Sequence, residues 1–325
     1  MDYFDVLKQA LKIAWTHKRL WVLGFFVAGA ASVPSPSYMQ TMPGPEQPEA
    51  VAQVEPLVRW AEANPGLLAA LAGVLAFVGL VLFVLSIAAH GGLVWAANEA
   101  AEGRSVRLAD AWGAGFSRWG RTFMIGLCLL VPTAFLVGAL VAAALVPALS
   151  AEGVTGEAAA AGVFGTVCCG FPILFAGVVV ASVLVGLLFN LAVRYGVLED
   201  MGFGASIKAA WSAVWGKRGV WTMWLVMLLP GLVFGAAVGV VALLLAAPAA
   251  FAFYSGQVVT GAGIFVLVGL VLAVPQAAFS TFVSSAWTVF FRRMTGMEQA
   301  HPAAPPAYPS APQAPGAVPA QAFGA

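Results

Sequence analysis

Charge is what this sequence lacks most. Lys and Arg number 15 and Asp and Glu 14 in 325 residues, 9% of the chain. A soluble domain carries about 25% charged residues, so this chain cannot cover itself with a water-compatible surface. Cysteine is scarce too. Cys128, Cys168 and Cys169 lie inside apolar runs, and none has metal-ligand or redox spacing. They read as small apolar filler rather than a disulfide framework. Histidine is limited to His17, His90 and His301. The sequence has no HExxH pair, no GxSxG turn, no phosphate-cradling glycine loop followed by Lys and no paired intramembrane carboxylates. No catalytic residue and no metal site can be nominated. The chain reads as non-enzymatic, with no cofactor and no nucleic-acid partner expected.

What is there is apolar. Hydrophobic residues make up 61% of the chain and the mean hydropathy is +0.92. Apolar runs longer than about 18 residues read as transmembrane helices. Six emerge: Ala14–Val33, Leu67–Trp95, Thr122–Leu149, Val163–Val193, Val220–Phe251 and Gly263–Phe291. Helix is the expected form, because lipid offers backbone groups no partners. The first run is marginal, with fourteen residues between Arg19 and Pro34 against about 20 needed to cross. It crosses if Lys18 and Arg19 snorkel and Trp15 sits in the interface. "VAGAAS" at 27–32 resembles a signal-cleavage site, but the opening segment recurs later in the chain, where no signal peptide could be, so a retained helix is expected.

The few charges are unevenly placed. With six spans, fourteen of the fifteen basic residues fall on the side holding both termini, and the other side holds only Arg59 among several glutamates. The positive-inside rule puts the termini in the cytoplasm.

The basic segments resemble one another at a spacing near one hundred residues. "ALKIAWTHKRLW" (10–21) aligns without gaps with "AWSAVWGKRGVW" (210–221), and "AWGAGFSRWGRTF" (111–123) is a weaker middle copy with Phe116 in place of Trp15 and Trp215. "LLVP" ending at Pro132 matches "MLLP" ending at Pro230. His90, Trp95 and Glu99 fall opposite Asn190, Tyr195 and Glu199. The expected fold is therefore all-α and polytopic. Six transmembrane helices form three parallel repeats, each an interfacial amphipathic helix plus a membrane hairpin, about an axis along the membrane normal. The repeats cover about 3–102, 103–201 and 202–298, within a membrane domain of residues 1–298. Residues 34–66 form an acidic, Pro-rich external loop with a short surface helix over Val54–Ala63. Residues 299–325 form a disordered, uncharged Pro/Ala-rich cytoplasmic tail.

On a helical wheel, Phe4, Leu7, Leu11, Ala14 and Trp15 oppose Lys8, Lys12 and Arg19. Leu108, Trp112, Phe116 and Trp119 oppose Arg107, Arg118 and Arg121. Phe203, Ile207, Trp211 and Val214 oppose Lys208. Aromatics on one face and Lys/Arg on the other suit a helix lying in the interface. The candidate contacts to anionic headgroups on the cytoplasmic face are Lys8, Lys12, Lys18, Arg19, Arg107, Arg118, Arg121, Lys208, Lys217 and Arg218. Inside the spans, His90, Asn190 and Gln276 are the candidate polar site. Glu99, Glu199 and Asp200 lie past span ends and are expected to cap or to pair with Arg194, Arg104 or Arg107. Gly231, Gly235 and Gly239 form a small-residue stripe suited to close helix packing, as do Ala134, Gly138 and Ala142. Pro132, Pro172, Pro230 and Pro275 are expected to interrupt four spans.

The segments "ALKIAWTHKRLWVLGFF" and "YGVLEDMGFGASIKAAWSAVW" resemble a broad group of bacterial multi-pass membrane proteins of uncharacterised biochemistry. That group is similar to the membrane domain fused to some glycerophosphodiester phosphodiesterases. The resemblance covers roughly residues 3–293. It implies a six-span protein of the bacterial inner (plasma) membrane. The fused relatives carry a separate catalytic barrel for which these residues have no segment, so the resemblance transfers no phosphodiesterase activity. Two functions stay open: a scaffold, partner-binding or lipid-associated module, and a small-solute or lipid transporter with a path near the pseudo-threefold axis.

Overall fold

A computed structural model describes residues 2–31, 62–150, 171–255 and 257–300. Residues 32–61, which hold most of the external loop and of its expected Val54–Ala63 helix, and the Pro/Ala tail beyond residue 300 lie outside the described residues. Helices α1 to α10 run over Tyr3–Thr16, Trp21–Ala31, Pro65–Ala101, Leu108–Ser117, Trp119–Ser150, Phe171–Leu198, Phe203–Gly216, Arg218–Tyr254, Val258–Thr295 and Met297–Ala300, with one 3-10 turn at Lys18–Leu20. No strand occurs among the described residues.

Five of these helices, α3, α5, α6, α8 and α9, are long and apolar enough to cross a membrane, as in a multi-pass membrane protein. At about 1.5 Å per residue, the 37 residues of α3 reach beyond a hydrocarbon core of about 30 Å. The sixth expected span begins differently. Its helix does not start at Ala14; α1 ends at Thr16 and a new helix starts at Trp21. Over its described residues α2 is 11 residues long. The expected proline breaks are absent. α5 runs through Pro132, α8 through Pro230 and α9 through Pro275, since a proline removes one ladder bond that neighbouring groups can replace. Pro172 is the second described residue of α6.

The elbow after α1 has a local cause. Asp2 caps the helix, its Oδ1 accepting from the N–H groups of Phe4 (3.0 Å) and Asp5 (3.3 Å). At the other end the indole N–H of Trp21 donates to the Ala14 carbonyl at 2.9 Å, satisfying an acceptor that the helix end would orphan. Trp221 donates to Val214 at the same 2.9 Å. Over residues 6–16 and 206–216, buried, half-buried and exposed positions coincide one for one. The middle segment departs from this. Trp119 donates instead to Val84 of α3 at 3.2 Å, and the buried pair after the elbow, Leu20 and Leu23 or Val220 and Met223, becomes Thr122 and Ile125.

Packing is cyclic. α4 lies on α3, α7 on α6, and α1 on α9, the last long helix. Each pair of long neighbours, α2 with α3, α5 with α6 and α8 with α9, packs as a hairpin, and α3, α6 and α9 meet one another at the centre. The exits of these three match as well. Each is followed by a left-handed residue, Gly103 (φ 76°), Asp200 (φ 53°) and Gly296 (φ 80°), and no other described residue has positive φ.

The amphipathic helices do not pack through the aromatic faces read from the wheel. α1 buries Val6, Ala10, Ile13 and Ala14, α4 buries Ala111 and Gly115, and α7 buries Ser206, Ala210, Ala213 and Val214. Small residues allow the backbones to approach closely. A Cβ on Gly115 would collide with the Ala88 carbonyl oxygen, and one on Gly92 with that of Ala111. Phe4, Leu11, Trp15, Phe116, Phe203, Trp211 and Trp215 remain exposed.

Candidate functional site

The buried polar groups gather where α3, α6 and α9 converge. On α9, Thr281, Ser284, Ser285, Thr288 and Arg292 are all buried. Their spacing places them on one helical face, in a helix selected for its apolar length. Opposite stands Arg194 of α6, buried to 1% exposure. Its guanidinium donates to the Asn190 carbonyl at 2.5 Å and, across the helix interface, to the Ser284 carbonyl at 2.9 Å. The Thr288 hydroxyl also donates to that Ser284 oxygen, at 2.8 Å. Arg194 pairs with no carboxylate among the described residues, and its Nε and the Ser285 hydroxyl have no hydrogen-bond partner.

Four further arginines make ion pairs around this centre. Arg292 donates to Asn98 Oδ1 and Glu102 Oε1, both at 2.6 Å, joining α9 to the end of α3. Arg104 pairs with Glu99 and Glu102. Arg121 of α5 reaches the Gly196 carbonyl and Asp200, both at 2.6 Å. Arg293 donates to Asp5 at 2.5 Å and Gln9 at 3.1 Å, joining α9 to α1, and to Glu298 at 2.9 Å. Of the expected acid pairings, Glu99 with Arg104 is present, while Asp200 takes Arg121.

These partners set the carboxyl groups at the helix exits. Burial works to raise Glu102, but its hydrogen bond and charge contact with Arg292, and the charge of Arg104, hold it below the usual range. The hydrogen bond from Arg121, with its charge, lowers Asp200. Burial raises Glu199, against the opposing charge of Lys217.

The three intramembrane candidates are not brought together. Asn190 is engaged, its side-chain amide donating to Gly186 at 2.8 Å and its Oδ1 accepting from Arg194 at 3.3 Å. Gln276 is half-buried on α9. His90 lines a separate crevice of about 630 Å³ between α3, α5 and α6, beside Ser86, Thr122 and Ser182. Its ring lies 5.0 Å from that of Phe189, and no hydrogen bond joins it to another described residue.

Among the headgroup candidates, Lys8, Lys12, Lys18, Arg19, Arg107, Lys208 and Arg218 are exposed and have no ion pair. The Lys18 ammonium stands 5.5 Å from the Trp15 ring centre. The other three are partly engaged: Arg121 as above, Lys217 with the Met294 carbonyl at 3.2 Å, and Arg118 with Ala114 at 3.4 Å. At Gly231, Gly235 and Gly239 a Cβ would meet nothing within 4 Å. Gly138 is equally open, and Ala142 lies where side chains are not described. Close approaches occur instead at Gly24, Gly92 and Gly115.

Sequence reasoning passed over the Arg194–Ser284 centre because Arg194 sits near a span end, where an arginine ordinarily snorkels to water. The available signal was the Thr/Ser series 281, 284, 285 and 288 leading to Arg292. No family model, no curated protein and no solved structure matches the chain.

Proposed function

We propose that this chain is a non-enzymatic, lipid-associated module of a bacterial inner membrane. It has six spans in three parallel repeats, and both termini are cytoplasmic. The one-for-one burial at a spacing of two hundred residues, the cyclic packing and the three left-handed exits support the repeats. The clustering of Lys and Arg around α1, α4 and α7 supports the orientation.

One observation carries the functional reading. Each amphipathic helix docks through a face of small and β-branched residues and leaves aromatic and basic side chains exposed. Trp15 is 63% exposed and Trp215 61%. Indole rings beside unpaired lysines match the headgroup layer, where an apolar ring and a cation are both satisfied. Spin labels at Leu11→Cys and Trp211→Cys, in a cysteine-free chain in vesicles, test this. Both labels should be more accessible to oxygen than to a water-soluble nickel chelate. The reverse order at both sites overturns the reading.

Transport is the second reading, favoured by one feature: the unpartnered imidazole of His90 in its crevice. Solute or lipid flux in proteoliposomes that is lost in His90→Ala would replace the first reading with this one.

A further inference from the structure

Each amphipathic helix stands beside a neighbouring long helix, and two of the three gaps are filled by the protein itself. Between α4 and α2, the Trp112 ring meets Phe26 at 5.5 Å, and Leu20, Leu23 and Ala111 are buried together. Between α7 and α5, Ile125 is buried and packs with Arg121 around Gly196. Between α1 and α8 there is an open groove of about 990 Å³, floored by α9. Leu11, Trp15, Trp21, Pro230, Phe234 and Phe279 are among its walls, and Phe234 and Phe279 stack at 4.0 Å. Small-molecule sites span about 300–1,000 Å³, so the groove has the size of a site.

Its charge is as one-sided as its walls. Lys8 is the only charged residue in the lining. Lys12 follows one turn later on the same helix face, and Lys18 stands over Trp15 at the groove's rim. All three are exposed and lack an acidic partner. The groove thus joins an apolar trough along a membrane hairpin to a cluster of cations at its interfacial end.

We propose that this groove seats one anionic glycerophospholipid. Its acyl chain lies along α8 and α9 where the other two gaps hold aromatic and aliphatic side chains, and its phosphate lies on Lys8, Lys12 and Lys18. The site rests on the lipid-associated reading above but requires more: one stoichiometric place, in one of three related positions. Lys208 supplies the internal control. It lies two hundred residues after Lys8 on α7, is equally exposed, and lines neither this groove nor the His90 crevice.

The test is native mass spectrometry of the detergent-purified full chain after exchange with dioleoyl phosphatidylglycerol or dioleoyl phosphatidylcholine. The wild-type chain should retain one phosphatidylglycerol in preference to phosphatidylcholine. The double variant Lys8→Gln/Lys12→Gln should weaken that retention about 30-fold, from the worth of two basic residues near anionic lipid, and Lys208→Gln should leave it unchanged. Ala278→Trp, which fills the groove, should reduce retention of both lipids, with the melting temperature showing that it folds. Equal losses in the α1 and α7 lysine variants would overturn the site while leaving the interfacial reading standing. Retention in Ala278→Trp overturns it too. So does a lipid-free dimer cross-linked through Ala237→Cys, which assigns the groove to a second copy. If no variant shows any preference for the anionic lipid, the site and the broader anionic-lipid reading fail together.

Discussion

At the end of the bundle where α1, α4 and α7 lie, buried positions concentrate within residues 86–97 of α3, 187–197 of α6 and 277–292 of α9. At the opposite end most side chains of the long helices are exposed. Leu71, Leu75 and Phe77 of α3, Leu243 and Leu244 of α8 and Phe265 to Leu267 of α9 face outward. In α3 and α8 the most hydropathic 18-residue window has no buried residue at all. The packed end sets Ala, Gly, Ser, Thr and Arg among large buried side chains such as Leu93, Leu187, Leu191, Phe290 and Phe291. The two ends show that hydropathy and packing are separate properties in this chain. Lipid is as apolar as leucine, so close association comes from small residues and hydrogen bonds.

Substitutions at the two ends should therefore diverge. Arg194→Ala gives the largest expected effect. It removes charged hydrogen bonds across the α6–α9 interface, at a cost of about 3 kcal/mol, read as a large fall in the detergent melting temperature. A leucine contrast comes next. Gly115→Leu forces a side chain against the Ala88 carbonyl and should destabilise by about 2 kcal/mol, whereas Gly235→Leu, at the open end, should stay within about 0.5 kcal/mol. Equal effects of the two leucines would break the comparison.

The smallest effect concerns Asp200. Its carboxyl is held below its ordinary value by Arg121. A depressed folded value means that the stabilising contribution is present above the unfolded carboxylate pKa, about 3.9, and is lost as pH falls through the folded value. Melting temperatures measured from pH 6 down to pH 3 should fall less steeply in Asp200→Asn than in wild type.

Much of the fold was legible because membrane spanning is a length and composition signal. Five helices follow runs such as Leu67–Trp95 and Val220–Phe251; four extend the run by a few residues at each end, and α6 is described from Phe171 onward. The elbows were legible from Trp15 and Trp21 with Trp215 and Trp221, although the sequence did not show that the second tryptophan of each pair closes the turn through its indole N–H. The packing faces were not legible. On a wheel, Val6, Ala10 and Ile13 form one apolar stripe and Phe4, Leu11 and Trp15 another, and nothing in hydrophobicity says which of the two turns inward. Glycine spacing misled for the same reason. Gly231, Gly235 and Gly239 have regular spacing but meet nothing close among the described residues, while Gly92 and Gly115 stand opposite a backbone.

The docking of α1 on α9 also sets the order of assembly. Asp5 meets Arg293 across 288 positions of chain, and the Leu20 carbonyl accepts from Thr281 across 261. α1 thus has its packing partner far along the chain. Until α9 is made, Val6, Ala10 and Ile13 lack the helix on which they dock. Docking of α1 is then a late, long-range closure, and a product truncated before α9 leaves α1 undocked.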